Sequence, residues 1–70
     1  MNYYKANSGL EAIDYIEAFN LNFNLGNVVK YITRAGKKTA EPLEDLEKAR
    51  WYINREIERL KDERKNNNVT

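Results

Sequence analysis

The chain has 70 residues, 12 lysines and arginines against 11 acids, a net charge of +1, and neither cysteine nor histidine. That length holds one domain with a thin core, and the missing residue types exclude disulfides, thiol or imidazole catalysis, and any zinc site built on those ligands. A near-neutral charge gives no ground for a long polyanion partner, and no apolar run reaches the length of a membrane span or a signal-peptide core. The chain therefore reads as cytoplasmic, with self-association as the remaining way to complete its core.

Residues 1–7, with Tyr3, Tyr4 and Lys5, read as an extended lead-in whose two rings point opposite ways. Ser8 and Glu11 have capping-box spacing. A first helix is thus expected from Gly9 to Phe19, with Leu10, Ala12, Ile13, Ile16 and Phe19 on its apolar side. Residues 18–29 carry no charge and four asparagines. Asn20, Asn22 and Asn24 alternate with Leu21, Phe23 and Leu25, but asparagine is a poor strand former and a good helix cap. The spacing predicts a loop at 20–22 and a second helix over Phe23–Ala35, stopped by Gly36 and Lys37-Lys38. Its inner face would be Leu25, Val28, Val29, Ile32 and Ala35. Gly26 predicts close approach by another helix, because a helical glycine costs about 1 kcal/mol relative to alanine.

Thr39 and Pro42 announce a third helix, expected to reach Arg64 and to span roughly 35 Å. Leu43, Leu46, Ala49, Ile53, Ile57 and Leu60 line one side of it. Its second half outruns the rest of the chain, so Ile57 and Leu60 are expected to meet another subunit. Residues 65–70 read as a disordered tail. Residues 1–64 form a single all-α domain of three helices, two short and one long, a helical bundle completed by oligomerisation.

Chemistry concentrates on the second helix. At 100° per residue, Phe23, Asn24, Asn27, Lys30, Tyr31 and Arg34 share one face. Amides can read a base edge, rings can stack on a base, and cations can hold phosphate. Lys30, Arg34, Lys37 and Lys38 form an acid-free run that suits one or two phosphates, or merely complements the dipole of their own helix end. On the third helix Asp45, Lys48 and Tyr52 share a face. Trp51 sits among Glu47, Arg55 and Glu58, where an exposed ring commonly marks an interface. Glu11 with Asp14, and Glu44 with Glu47, have the spacing of magnesium-binding pairs, yet each is equally explained by capping or by an i,i+4 ion pair. Gly36-Lys37-Lys38-Thr39 echoes a phosphate loop, but Tyr31 stands where the earlier glycine belongs. No cofactor and no metal are expected.

Together these stretches resemble a known family. The run Gly9–Phe19, then Leu21-Asn22-Phe23-Asn24-Leu25-Gly26-Asn27, Lys30-Tyr31, Arg34-Ala35-Gly36-Lys37-Lys38 and Glu44–Tyr52 looks like the SaV-like phage family of unknown function. That family consists mostly of short proteins and also forms part of a phage nucleoside monophosphate kinase. The likeness spans about residues 3–60. Its pattern often begins with His-Tyr, where this chain has Tyr3-Tyr4. The resemblance implies phage origin and association with nucleotides, and its motif positions here are Asn24, Asn27, Lys30, Tyr31, Arg34, Lys37, Lys38, Asp45, Lys48 and Tyr52.

The expected function is a non-catalytic homo-oligomer that binds, and sequesters, a nucleotide in a pocket between subunits. A cyclic or ADP-ribose-type signal of host defence is one candidate ligand. Lys30, Arg34 and Lys37 would hold phosphate, Asn24 and Asn27 would read base or ribose, and Tyr31 or Tyr52 would stack. The rivals are a nucleoside monophosphate kinase, with Asp45 as base, and a protein-binding module built on Trp51. Neither a membrane nor a nucleic acid is an expected partner.

Overall fold

The structure is a computed structural model and describes residues 11–37 and 40–67. The Tyr3-Tyr4 lead-in, the Ser8 cap with Gly9 and Leu10, the Lys38-Thr39 pair, and residues 68–70 of the expected tail lie outside the described residues. Among the described residues three helices follow in order: α1 (Ala12–Ala18), α2 (Phe23–Arg34) and α3 (Pro42–Asn67). No strand occurs among the described residues, and no helix among them is long and apolar enough to cross a membrane.

Caps set the boundaries. Glu11 is extended (φ −119°, ψ 164°), so the first helix starts at Ala12 and not at Gly9. The Glu11 amide donates to Asp14 Oδ2 at 2.9 Å, which gives Asp14 the part expected of Glu11. After α1 the chain reverses at Asn20 (φ 53°), a left-handed position that asparagine tolerates. The Leu21 amide then donates to the Ile16 carbonyl at 3.0 Å. Asn22 caps α2, its Oδ1 accepting from the Leu25 amide at 2.9 Å. Gly36, at φ 78°, turns the chain toward α3. The third helix runs on to Asn67, so residues 65–67 are helical where a tail was expected.

α2 and α3 form an antiparallel hairpin. Near one end Asn24 bonds Arg55 and Glu56, and near the other Arg34 faces Asp45. α1 crosses α2 at Gly26, where an added Cβ would stand 3.3 Å from Ile16 Cγ2. The close approach that this glycine predicted is therefore present, and the neighbour is α1.

The expected inward faces need correction. Among the described residues the only buried apolar side chain is Ala49. Ile13 on α1 and Phe19 at its end, Leu25 and Ile32 on α2, and Leu43, Leu46 and Ile53 on α3 are all exposed, as are Ile57 and Leu60, the two residues expected to meet another subunit. The residues that close the hairpin are polar instead: Asn24, Asp45 and Glu56 are buried.

The molecule is a slab. Its principal extents are 51 × 26 × 13 Å, and the least is about one helix diameter. Its radius of gyration is 14.9 Å, against about 11 Å for a compact chain of this length. A one-layer arrangement cannot hide both sides of its helices. Helical rotation of 100° per residue assigns side chains to the two faces. Counted from Asn24, which meets α3, Leu25, Val29 and Ile32 lie about 80–140° to one hand, and Lys30 and Arg34 about 80–120° to the other. Counted from Glu56, which meets α2, the five exposed aliphatics of α3 lie about 40–140° to that same first hand, and Lys48, Trp51 and Arg55 about 80–140° to the second. Antiparallel helices are related by a two-fold normal to their plane, so equal hands fall on one side of the slab. One face is therefore aliphatic, and the other is cationic and aromatic.

Candidate functional site

The cationic face centres on two tyrosines. Tyr31 of α2 and Tyr52 of α3 lie ring against ring, centroids 6.0 Å apart and planes 13° from parallel. Three cations stand about Tyr31: Lys30 Nζ at 5.2 Å, Lys48 Nζ at 5.5 Å and Arg34 Cζ at 5.6 Å from the ring centroid. Lys30 and Arg34 reach it because they are four residues apart on one helix face. Lys48 arrives from the opposite helix through the hairpin register.

Charge balance at this point is uneven. Asp45, with a side chain only 3% exposed, lies 4.0 Å from Arg34 Nε, too far for a hydrogen bond. That Nε is buried and has no hydrogen-bond partner among the described residues. Lys30 and Lys48 make no ion pair among the described residues. Each cation gains on the order of 0.5–1 kcal/mol from a ring at an exposed site. Crowded cations repel one another by a similar amount per pair in water, on the order of 0.5 kcal/mol. The two effects nearly cancel, so an anion placed among the three would gain attraction from Lys30 and Lys48, while the buried Asp45 carboxylate offsets part of the pull of Arg34.

Exposed rings flank the cluster. Phe23 is 68% and Trp51 59% exposed, and both meet Tyr52 edge-on, at 5.9 Å and 4.9 Å between centroids. A shallow groove of about 260 Å³ runs between α1 and α2. Ile16, Leu21, Phe23 and Gly26 form its apolar floor, with Asn27 and Lys30 on its rim. Lys30 belongs to both the groove and the cation cluster.

The expected site residues separate into groups. Lys30, Tyr31, Arg34, Lys48 and Tyr52 come together. Asn27 lies a turn before them, and its Nδ2 donates to the Phe23 carbonyl at 2.9 Å. Asp45 is buried beneath Arg34 rather than turned outward. Lys37 is exposed beyond the end of α2, its amide donating to the Arg34 carbonyl at 2.9 Å. Lys38 lies outside the described residues. Asn24 leaves the set: it is buried, its Nδ2 donates to Glu56 Oε1 at 3.0 Å, and its Oδ1 accepts from Arg55 Nη1 at 2.8 Å. The patch is assembled by α2 and α3 of one chain, whereas the expected pocket lay between subunits.

Glu56 is the polar centre that sequence reasoning missed. It accepts from Asn22 Nδ2 at 2.9 Å, from Asn24 Nδ2 at 3.0 Å, and from Arg59 Nη2 at 2.9 Å and Nε at 3.0 Å. Those bonds, Arg59 first and then Asn24 and Asn22, hold its carboxyl down to about 2 against the opposing effect of burial. The signal in the sequence was its place seven residues after Ala49 on α3, which puts both on one helix face. Among the described residues no group of three or more acids gathers that could hold a metal ion.

Fold and site thus define a small helical hairpin with one cationic, aromatic face. Residues 2–54 match the model of a family described as a protein of unknown function, DUF3310, and the chain belongs to that family. The matched segment ends within α3 and includes the whole cation cluster. No curated protein and no solved structure matches the chain.

Proposed function

We propose that the protein is a small phage nucleotide binder that acts as a homo-oligomer and sequesters its ligand unchanged. The observation that carries this is the placing of Lys30, Arg34 and Lys48 about the Tyr31 ring, beside the exposed rings of Phe23 and Trp51. Phosphate would sit among the three cations, where a guanidinium adds directional hydrogen bonds to the charge. Stacking on a base falls to Trp51 or Phe23, because Tyr31 and Tyr52 are half-buried and lie against each other. Sequestration needs affinity and copy number alone, which suits a chain without histidine, cysteine or a phosphate loop.

The resemblance to part of a nucleoside monophosphate kinase supports a second reading, phosphoryl transfer. It is weakened by the burial of Asp45, the expected base, beneath Arg34. One experiment separates the readings. Melting is followed with AMP, dTMP, ATP, a cyclic dinucleotide or ADP-ribose, and in parallel the folded protein is incubated with each of them and with ATP plus each monophosphate, the nucleotides then being weighed by mass spectrometry. Sequestration predicts a raised melting temperature with at least one of them and its recovery intact. Transfer of phosphate from ATP to a monophosphate would establish the kinase. No shift with any member of the panel would remove nucleotide binding altogether.

A further inference from the structure

The aliphatic face has an order that an accidental patch would lack. On α3 its residues are Leu43, Leu46, Arg50, Ile53, Ile57, Leu60 and Arg64, spaced alternately by three and four. This is the first-and-fourth pattern of a heptad, the seam by which one helix pairs with another. Every aliphatic member is more than 40% exposed, while the residues that meet α2 (Asp45, Ala49, Glu56) are buried. α3 thus carries two seams, one occupied by its own chain and one open.

We infer that the open seam pairs with the same seam of a second copy, antiparallel, about a two-fold axis between Trp51 and Tyr52. Reversing one helix places each first position opposite a fourth. Centred there, Leu43 meets the partner's Leu60, Leu46 meets the partner's Ile57, and Arg50 meets the partner's Ile53. All of these contacts fall within α3. The parallel alternative would set Arg50 against the partner's Arg50 and Arg64 against the partner's Arg64 inside an apolar seam, where like charges repel. The antiparallel pair removes the second contact and staggers the first, with Arg50 facing the partner's Ile53 and standing about one turn from the partner's Arg50. Arg64 then lies past the start of the partner's α3, and the Arg50 stem can run along the seam with its head in water.

α2 supplies an independent check on the centre. Asn24 beside Glu56 and Arg34 beside Asp45 set the hairpin register. In that register the midpoint of Leu25 and Ile32 is level with Trp51. Both aliphatic stripes are therefore centred at one height, and one two-fold axis serves both. The paired slabs make two layers of helices with the aliphatic residues between them, the arrangement a one-layer slab lacks. The cationic faces then point outward on opposite sides. The pairing rests on the self-association proposed above and on no ligand.

The chain has no cysteine, so introduced thiols report on the pairing alone. Leu46→Cys and Ile57→Cys are prepared separately, then oxidised singly and as a mixture. The expected product is the mixed disulfide between the two variants, with little homodimer from either, since core positions come within the span a disulfide bridges. Arg50→Leu is expected to tighten association by roughly tenfold or more in sedimentation equilibrium, because it removes a charge from the seam. Homodisulfides of each variant alone, or a stable oligomer with no disulfide in the mixture, would overturn the antiparallel seam and leave self-association standing. A monomer at every concentration, for the native chain and for Arg50→Leu, would overturn both.

Discussion

Both faces of the slab meet water in a single chain, yet water treats them differently. The aliphatic face presents Leu25, Ile32, Leu43, Leu46, Ile53, Ile57 and Leu60. Left about half exposed, seven such side chains forgo on the order of 7 kcal/mol of burial, comparable with the whole stability of a small domain. The face around Tyr31 is cationic: Lys30 and Lys48 are exposed to water, while Arg34 lies over the buried Asp45. It gains only when an anion arrives. Covering the first face would stabilise the chain, while covering the second would bring no comparable gain. On the function proposed above, the first face would supply the missing core and the second would be left for a ligand.

Substitutions confined to one face test that division. A charge in the aliphatic seam has the largest expected effect. Ile57→Asp, which would face the partner's Leu46, should weaken association by at least roughly 100-fold, because two unpaired carboxylates would be buried per dimer. Sedimentation equilibrium reads the loss, and circular dichroism at low protein concentration should show reduced helix. On the other face, Lys48→Ala should weaken nucleotide binding by roughly tenfold while sedimentation stays as for the native chain. Calorimetric titration at two salt concentrations checks it, since affinity carried by exposed cations falls as salt rises.

Between the faces, Glu56 gives the hairpin a pH dependence of definite sign. Its folded carboxyl is held at about 2, below the ordinary 4.5. Its contribution is therefore complete above about 4.5 and is lost as pH falls from there toward 2. Thermal melts across that window should show the midpoint fall with acid, and Glu56→Gln should flatten the dependence. The smallest effect is expected at the α1 crossing. Gly26→Ala adds a Cβ at 3.3 Å from Ile16 Cγ2, while gaining up to about 1 kcal/mol of helix propensity. Ile16 borders an open groove and has room to shift, so the net change in stability should stay under about 1 kcal/mol.

Much of the framework was legible in the sequence because caps and breakers act locally. Asn22, Gly36 and Pro42 bound the helices as their chemistry dictates. The start of α1 was misplaced because Ser8-Glu11 and Glu11-Asp14 both offer capping spacing, and local pattern does not choose between them. The facing of the helices was misread for a different reason. Apolar periodicity locates a face that must be covered, but not what covers it. Here the hairpin closes on Asn24, Asp45 and Glu56, and Ala49 alone of the expected α3 stripe turns inward. The site was half legible. The rotation of α2 aligns Lys30, Tyr31 and Arg34, but the arrival of Lys48 and Tyr52 depends on hairpin register. That register is set by the Asn24–Glu56 bond, a pairing between residues 32 apart in sequence.

The claim that the cationic face holds a phosphorylated small molecule while the aliphatic face joins two chains is tested most directly by sedimentation velocity, followed at once in protein and nucleotide absorbance. The native chain should sediment as an oligomer, with at least one nucleotide of the panel moving in the same boundary. A boundary of single chains, or nucleotides that all remain behind while the protein sediments, would contradict the account.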